Sequence, residues 1–101
     1  MNPQLQSALD ALNACPDAAA VADLLRRHGI RASTHREKGS RCTVCPLAVY
    51  LRKVGGTRRV RVDGWGNAEF SISEQVRLNL ACRDFIAAVD ANKYPDLEAT
   101  A

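Results

Sequence analysis

Two cysteines separated by two residues, Cys42 and Cys45, form the motif with the clearest chemistry in this chain. This spacing lets both sulfur atoms face one tetrahedral ion, which is a common half of a zinc site. His35 is the best third ligand, because it lies in the same polar segment as Cys42. The spacing therefore predicts a structural zinc site built from these three residues. Other side chains that would complete such a site are Cys15, His28 and Cys82.

The same pair fits two simpler interpretations. In thiol–disulfide exchange proteins a Cys-x-x-Cys motif joins a strand to a helix, but the residues just before Cys42 are polar and basic rather than apolar. Alternatively, the two cysteines stay reduced at the start of a helix, where one caps and the other packs. Pro46 marks that helix start, and a helix N-terminus favours the thiolate form of a nearby cysteine.

A third interpretation comes from a family resemblance. Cys15, the Cys42–Pro46 stretch and the Gly64-Trp65-Gly66 turn resemble the WhiB-like transcription factors of actinobacteria. The resemblance covers the middle half of the chain and implies a four-iron cluster held by four cysteines, and therefore a redox-sensing regulator. The chain departs from the pattern in two places.

The family's fourth cysteine closely follows its Cys-x-x-Cys motif, where this chain has Tyr50-Leu51, so Cys82 would have to substitute for it. Asn67 stands where the family has a further glycine. The Cys42–Leu51 stretch, together with Tyr94-Pro95-Asp96-Leu97, also resembles a group of small uncharacterised proteins of actinobacteria and actinophages. That second resemblance implies no activity.

Positive charge is concentrated in the middle of the chain. Residues 26–61 hold eleven of the fourteen Lys and Arg residues and a single acid, Glu37, so this segment carries a formal charge of +10 although the whole chain carries +3. The residues on either side are acidic on balance. A strongly basic stripe of this kind attracts polyanions.

A basic hairpin is the part of this segment best suited to nucleic acid. Arginine side chains bind phosphate through two hydrogen bonds, and an exposed tryptophan at the hairpin tip would stack on bases. The predicted nucleic-acid-binding residues are Arg52, Lys53, Arg58, Arg59, Arg61 and Trp65. The predicted function is a small nucleic-acid-binding regulator. The alternatives are an adaptor or inhibitor that meets an acidic protein surface through the same patch, and a thiol redox or iron–sulfur sensor.

The elements that position these residues follow from hydrophobic periodicity. The first helix is capped by Asn2, the second runs from Asp17 to Gly29, and the third starts at Pro46 and ends at Gly55-Gly56. A basic loop spans 31–44, and a hairpin spans 57–72. Ser71 or Ser73 caps a long C-terminal helix, and a tail at 95–101 is frayed. The predicted fold class is α+β and mainly helical, with three helices, a hairpin and a final helix.

Length and composition favour one domain over 1–101. The chain has no apolar run long enough for a membrane span and no basic, apolar signal sequence, so a cytoplasmic location with reduced thiols is expected. It also lacks a glycine-rich phosphate loop, a nucleophile elbow and a pair of carboxylates in apolar surroundings. We therefore expect a binding protein rather than an enzyme.

Overall fold

A computed structural model describes residues 2–33, 45–63, 66–71, 74–91 and 93–99. Within these ranges the chain forms four helices and a three-stranded antiparallel sheet, so the predicted α+β class is confirmed. The helices are α1 (Pro3–Asn13), α2 (Ala18–Arg27), α3 (Pro46–Gly55) and α4 (Leu80–Asp90). The strands are β1 (Ala32–Ser33), β2 (Arg61–Val62), β3 (Asn67–Glu69), β4 (Gln75–Arg77) and β5 (Glu98–Ala99).

The first two helices begin at the predicted caps. The Asn2 side chain accepts a hydrogen bond from the Leu5 backbone N–H at 2.6 Å, and Asp17 accepts one from Ala20 at 2.9 Å. Pro3 occupies the first turn of α1, where its missing N–H costs nothing. Each helix buries the apolar face that its periodicity predicts, and these faces meet α3 and α4 in a single core.

The third helix lies across α1 and carries the largest buried side chain of the core. Tyr50 is fully buried, and its hydroxyl donates a hydrogen bond to the Ala8 carbonyl at 3.0 Å. At its end, Gly56 adopts φ +66°, a left-handed conformation that favours glycine, and the helix stops there as predicted. The side chain of Gln4 donates to the Val54 carbonyl at 2.9 Å, so α1 closes the last turn of α3.

The predicted start of the final helix is wrong. Neither Ser71 nor Ser73 caps it, since Gln75–Arg77 forms strand β4 and α4 begins only at Leu80, after the cap Asn79. The chain reverses between Phe70 and Glu74, where the Phe70 N–H donates to the Glu74 carbonyl at 2.9 Å. This reversal places β4 beside β3, where the backbone groups of β4 pair in the sheet.

The C-terminal residues 95–99, which the sequence predicts as a frayed tail, adopt regular structure. Pro95–Leu97 forms one 3-10 turn, and β5 pairs in parallel with β1. Leu97 is fully buried in the core, and its burial explains why this segment is held against the domain. No helix in the described ranges is long and apolar enough to span a membrane.

Candidate nucleic-acid interface

The cysteine motif is only partly placed by the structure. Cys42 and His35 lie outside the described residues, whereas Cys45 is the N-cap residue of α3 and is 7% exposed. Cys45 lies at the edge of an apolar hollow of about 180 Å³ between the start of α3 and the middle of α4. The other residues that line this hollow are Pro46, Leu47, Phe85, Ile86 and Val89.

The alternative ligands are placed apart from a metal-binding cluster. Across the described ranges, no three His, Cys, Asp or Glu side chains come together in a group that would hold a metal ion. His28 is the exposed C-cap residue of α2 and lies edge-on to the Tyr50 ring, with 5.7 Å between ring centroids. Cys82 is fully buried on α4, and the Cys15 thiol donates to the Ala11 carbonyl at 3.3 Å.

The zinc site formed by Cys42, Cys45 and His35 stays a prediction with a direct measurement. We expect about one zinc ion per chain in tag-free protein purified without chelator or oxygen, because a closed structural site retains its metal. Elemental mass spectrometry checks this ratio, and the Cys42→Ser variant is expected to lose the metal. Protein that carries no metal would contradict the prediction, and several irons per chain would favour the cluster instead.

The basic residues that follow α3 are held in place by that helix. Lys53 is exposed in its last turn, and Arg52 is half-buried. Gly55 approaches α1 so closely that a Cβ atom there would lie 2.8 Å from the Cδ1 atom of Leu5. This close approach fixes the end of α3 on α1, and it therefore fixes the point at which the basic segment 57–61 leaves the helix.

Within that segment the side chains alternate as the sequence predicts. Val60 and Val62 are 1% and 2% exposed and lie in the core, whereas Arg59 and Arg61 are exposed on the opposite side. Arg58 is exposed as well. None of Lys53, Arg58, Arg59 and Arg61 forms a salt bridge with another described residue. Their positive charges are therefore available to an outside anion.

The sheet adds residues that sequence reasoning missed. Arg61 on β2 lies opposite Glu69 on β3, which in turn lies opposite Gln75 on β4. Arg77 is the second exposed residue of β4, two positions further along the strand. The signal for β4 is the alternation of Gln75 and Arg77 with Val76 and Leu78, which has the period of a strand.

One arginine of the basic segment belongs to a different surface. The Arg26 Nε atom lies 2.6 Å from Oδ2 of Asp96, and its Nη1 atom lies 2.9 Å from Oδ1 of Asp23. The hydrogen bond from Arg26 lowers the pKa of Asp96. Its guanidinium also lies over the Tyr94 ring, 5.7 Å from the centroid. The charge of Arg26 is therefore compensated within the chain and does not contribute to the interface.

The interface is thus the exposed basic run of Lys53, Arg58, Arg59 and Arg61, with the solvent face of the sheet beside it. Trp65, the predicted stacking residue, lies outside the described residues. Comparisons with protein-family models, with curated proteins and with solved structures find no match for this chain.

Proposed function

We propose that this protein binds nucleic acid through the exposed basic run Lys53, Arg58, Arg59 and Arg61, as a small regulatory protein. The observation that carries the proposal is the alternation of exposed arginines with buried valines at positions 59–62. Since the valines are anchored in the core, the arginines project from a fixed backbone. Solvated charges on a flexible loop would have no such common direction.

The chemistry of the run suits a phosphate backbone. Each guanidinium offers a planar fork of N–H donors that matches two phosphate oxygens, and it stays charged at any physiological pH. Three arginines and a lysine at positions 53–61 carry four positive charges, without an acid between them. Such contacts position a protein on nucleic acid and release bound counterions when they form.

Replacing Arg58, Arg59 and Arg61 together with alanine tests the proposal. We expect the affinity for duplex DNA of any sequence to fall roughly tenfold or more at low salt, because these three side chains no longer neutralise phosphates. The slope of log affinity against log salt should become shallower by about 0.9 for each phosphate that is no longer neutralised. Fluorescence anisotropy with a labelled duplex at several salt concentrations measures both quantities.

A matched control separates the interface from net charge. The triple variant R27A/R31A/K93A removes the same three positive charges at exposed positions in the end of α2, the segment after it and the C-terminal region. We expect it to keep both the affinity and most of the salt slope. Equal loss of affinity in the two variants would show that net charge alone drives binding, and wild-type protein that binds no nucleic acid would refute the proposal.

A further inference from the structure

The solvent face of the three-stranded sheet carries a cross-strand row of polar side chains. Arg61 on β2, Glu69 on β3 and Gln75 on β4 lie in register, and Arg77 follows on β4. Arg61, Gln75 and Arg77 are exposed, and Glu69 is half-buried. The opposite face is apolar, since Val62 and Ala68 are buried and Val76 packs against the core. The sheet therefore presents one fixed polar face to solvent.

The residue types in this row are those that recognise base edges. An arginine donates two hydrogen bonds to guanine, a glutamine pairs with adenine, and a glutamate accepts from the amino group of cytosine. Asn67 is also on β3, but its amide donates to the Asp63 carboxylate at 3.0 Å. The Asp63 carboxylate also accepts from the Asn67 backbone N–H, so this pair holds the hairpin turn.

The width of the sheet suits the major groove of DNA. Neighbouring strands lie about 4.8 Å apart, so the outer strands β2 and β4 are separated by about 10 Å. The major groove is about 12 Å wide and admits β-structure, whereas the minor groove is about half as wide. Strands in the major groove are an established way of reading DNA.

The distribution of charge across the strands fits the same geometry. In a groove, the outer strands lie nearest the phosphate walls and the central strand faces the base edges. The outer strands carry Arg61 and Arg77, and the acid of the row, Glu69, lies on the central strand. Arg59 extends the positive charge along the line of β2. A carboxylate would be repelled at a phosphate wall, but it accepts hydrogen bonds from amino groups on the groove floor.

We propose that the solvent face of this sheet enters the major groove of duplex DNA and reads its sequence through Glu69, Gln75 and Arg77. This inference rests on the proposed function, and it narrows the ligand from nucleic acid to duplex DNA with a preferred sequence. In this arrangement Arg58, Arg59 and Arg61 contribute affinity for all sequences, whereas β4 and the end of β3 contribute discrimination between them.

Selection of duplexes from a random pool, followed by anisotropy with the selected duplex and a scrambled one, tests the proposal. We expect the wild-type protein to enrich a short motif. We expect Q75A/R77A to reduce the ratio of selected to scrambled affinity by about tenfold to a hundredfold, because each two-pronged base contact contributes discrimination of that order. Its affinity for the scrambled duplex should fall much less.

The control variant Q6A/R27A changes the same two residue types at exposed positions on α1 and α2, and it should keep the full ratio. Thermal unfolding verifies that both variants fold. Duplex binding without any enriched motif, an unchanged ratio in Q75A/R77A, or a preference for single strands or RNA would overturn the groove-reading sheet and leave the proposed function standing. Absence of all nucleic-acid binding would instead remove the proposed function itself.

Discussion

Replacing Asn79 with alanine is expected to lower the free energy of unfolding by about 3 kcal/mol. The side chain of Asn79 joins two helices that are distant in sequence. Its oxygen caps α4 by accepting from the Cys82 N–H at 3.0 Å. Its amide group donates to the Leu12, Asn13 and Cys15 carbonyls at 3.2–3.3 Å, where α1 ends. The loss of a cap costs about 1 kcal/mol, and a carbonyl left without a partner away from water costs about 1–3 kcal/mol more.

Two further variants separate these contributions in urea denaturation. Asn2 caps α1 through one hydrogen bond to the Leu5 N–H and makes no second link of the Asn79 kind among the described residues, so Asn2→Ala should cost only about 1 kcal/mol. Asn79→Asp keeps the cap oxygen and removes the donors, so its cost should lie between the two. If Asn79→Ala costs no more than Asn2→Ala, the link between α1 and α4 contributes nothing to stability.

The first three helices could be predicted from sequence because their signals are local. Asn2, Asp17 and Gly56 are cap residues whose preference comes from hydrogen bonds or backbone conformation within one helical turn. The hydrophobic stripe of each helix is likewise a property of neighbouring residues. The structure confirms these boundaries, and it also confirms the side to which Val60 and Val62 point.

The elements that sequence reasoning missed depend on contacts between distant residues. Strand β4 is short and overlaps a plausible helix start at Ser71 or Ser73, and only its pairing with β3 decides between the two. The C-terminal segment is held by Leu97 in the core and by the contact of Asp96 with Arg26, seventy positions earlier in the chain. No local pattern near residue 95 reports those partners.

The candidate site shows the same division. The exposure of Arg59 and Arg61 follows from two-residue periodicity and could be predicted, whereas Gln75 and Arg77 join the site only because β4 completes the sheet. Arg26 belongs to the basic segment by its position in sequence, but its acidic partners are placed by the tertiary fold. A formal charge count treats every arginine alike, and it therefore cannot separate an arginine paired inside the chain from one open to an anion.

The buried thiol of Cys82 makes the stability of the protein depend on alkaline pH. Burial raises the pKa of Cys82 to about 12, from an ordinary value of 9.0, and the nearby Cys15 thiol raises it further while the hydrogen bond from the Asn79 backbone opposes the shift. The folded protein therefore keeps this proton where the unfolded chain has released it. The stabilisation is complete below pH 9 and is lost as the pH rises towards 12.

We expect the free energy of unfolding to fall above about pH 9, with a slope that approaches about 1.4 kcal/mol per pH unit from Cys82 alone. Urea denaturation from about pH 7 to about pH 10.5 measures this slope, and Cys82→Ala should make it shallower. Burial also raises the pKa values of Cys15 and Tyr50, so part of the slope should remain in that variant. An identical slope in the two proteins would mean that the Cys82 thiol releases its proton at the same pH in the folded and unfolded chains, which is incompatible with its complete burial in the core.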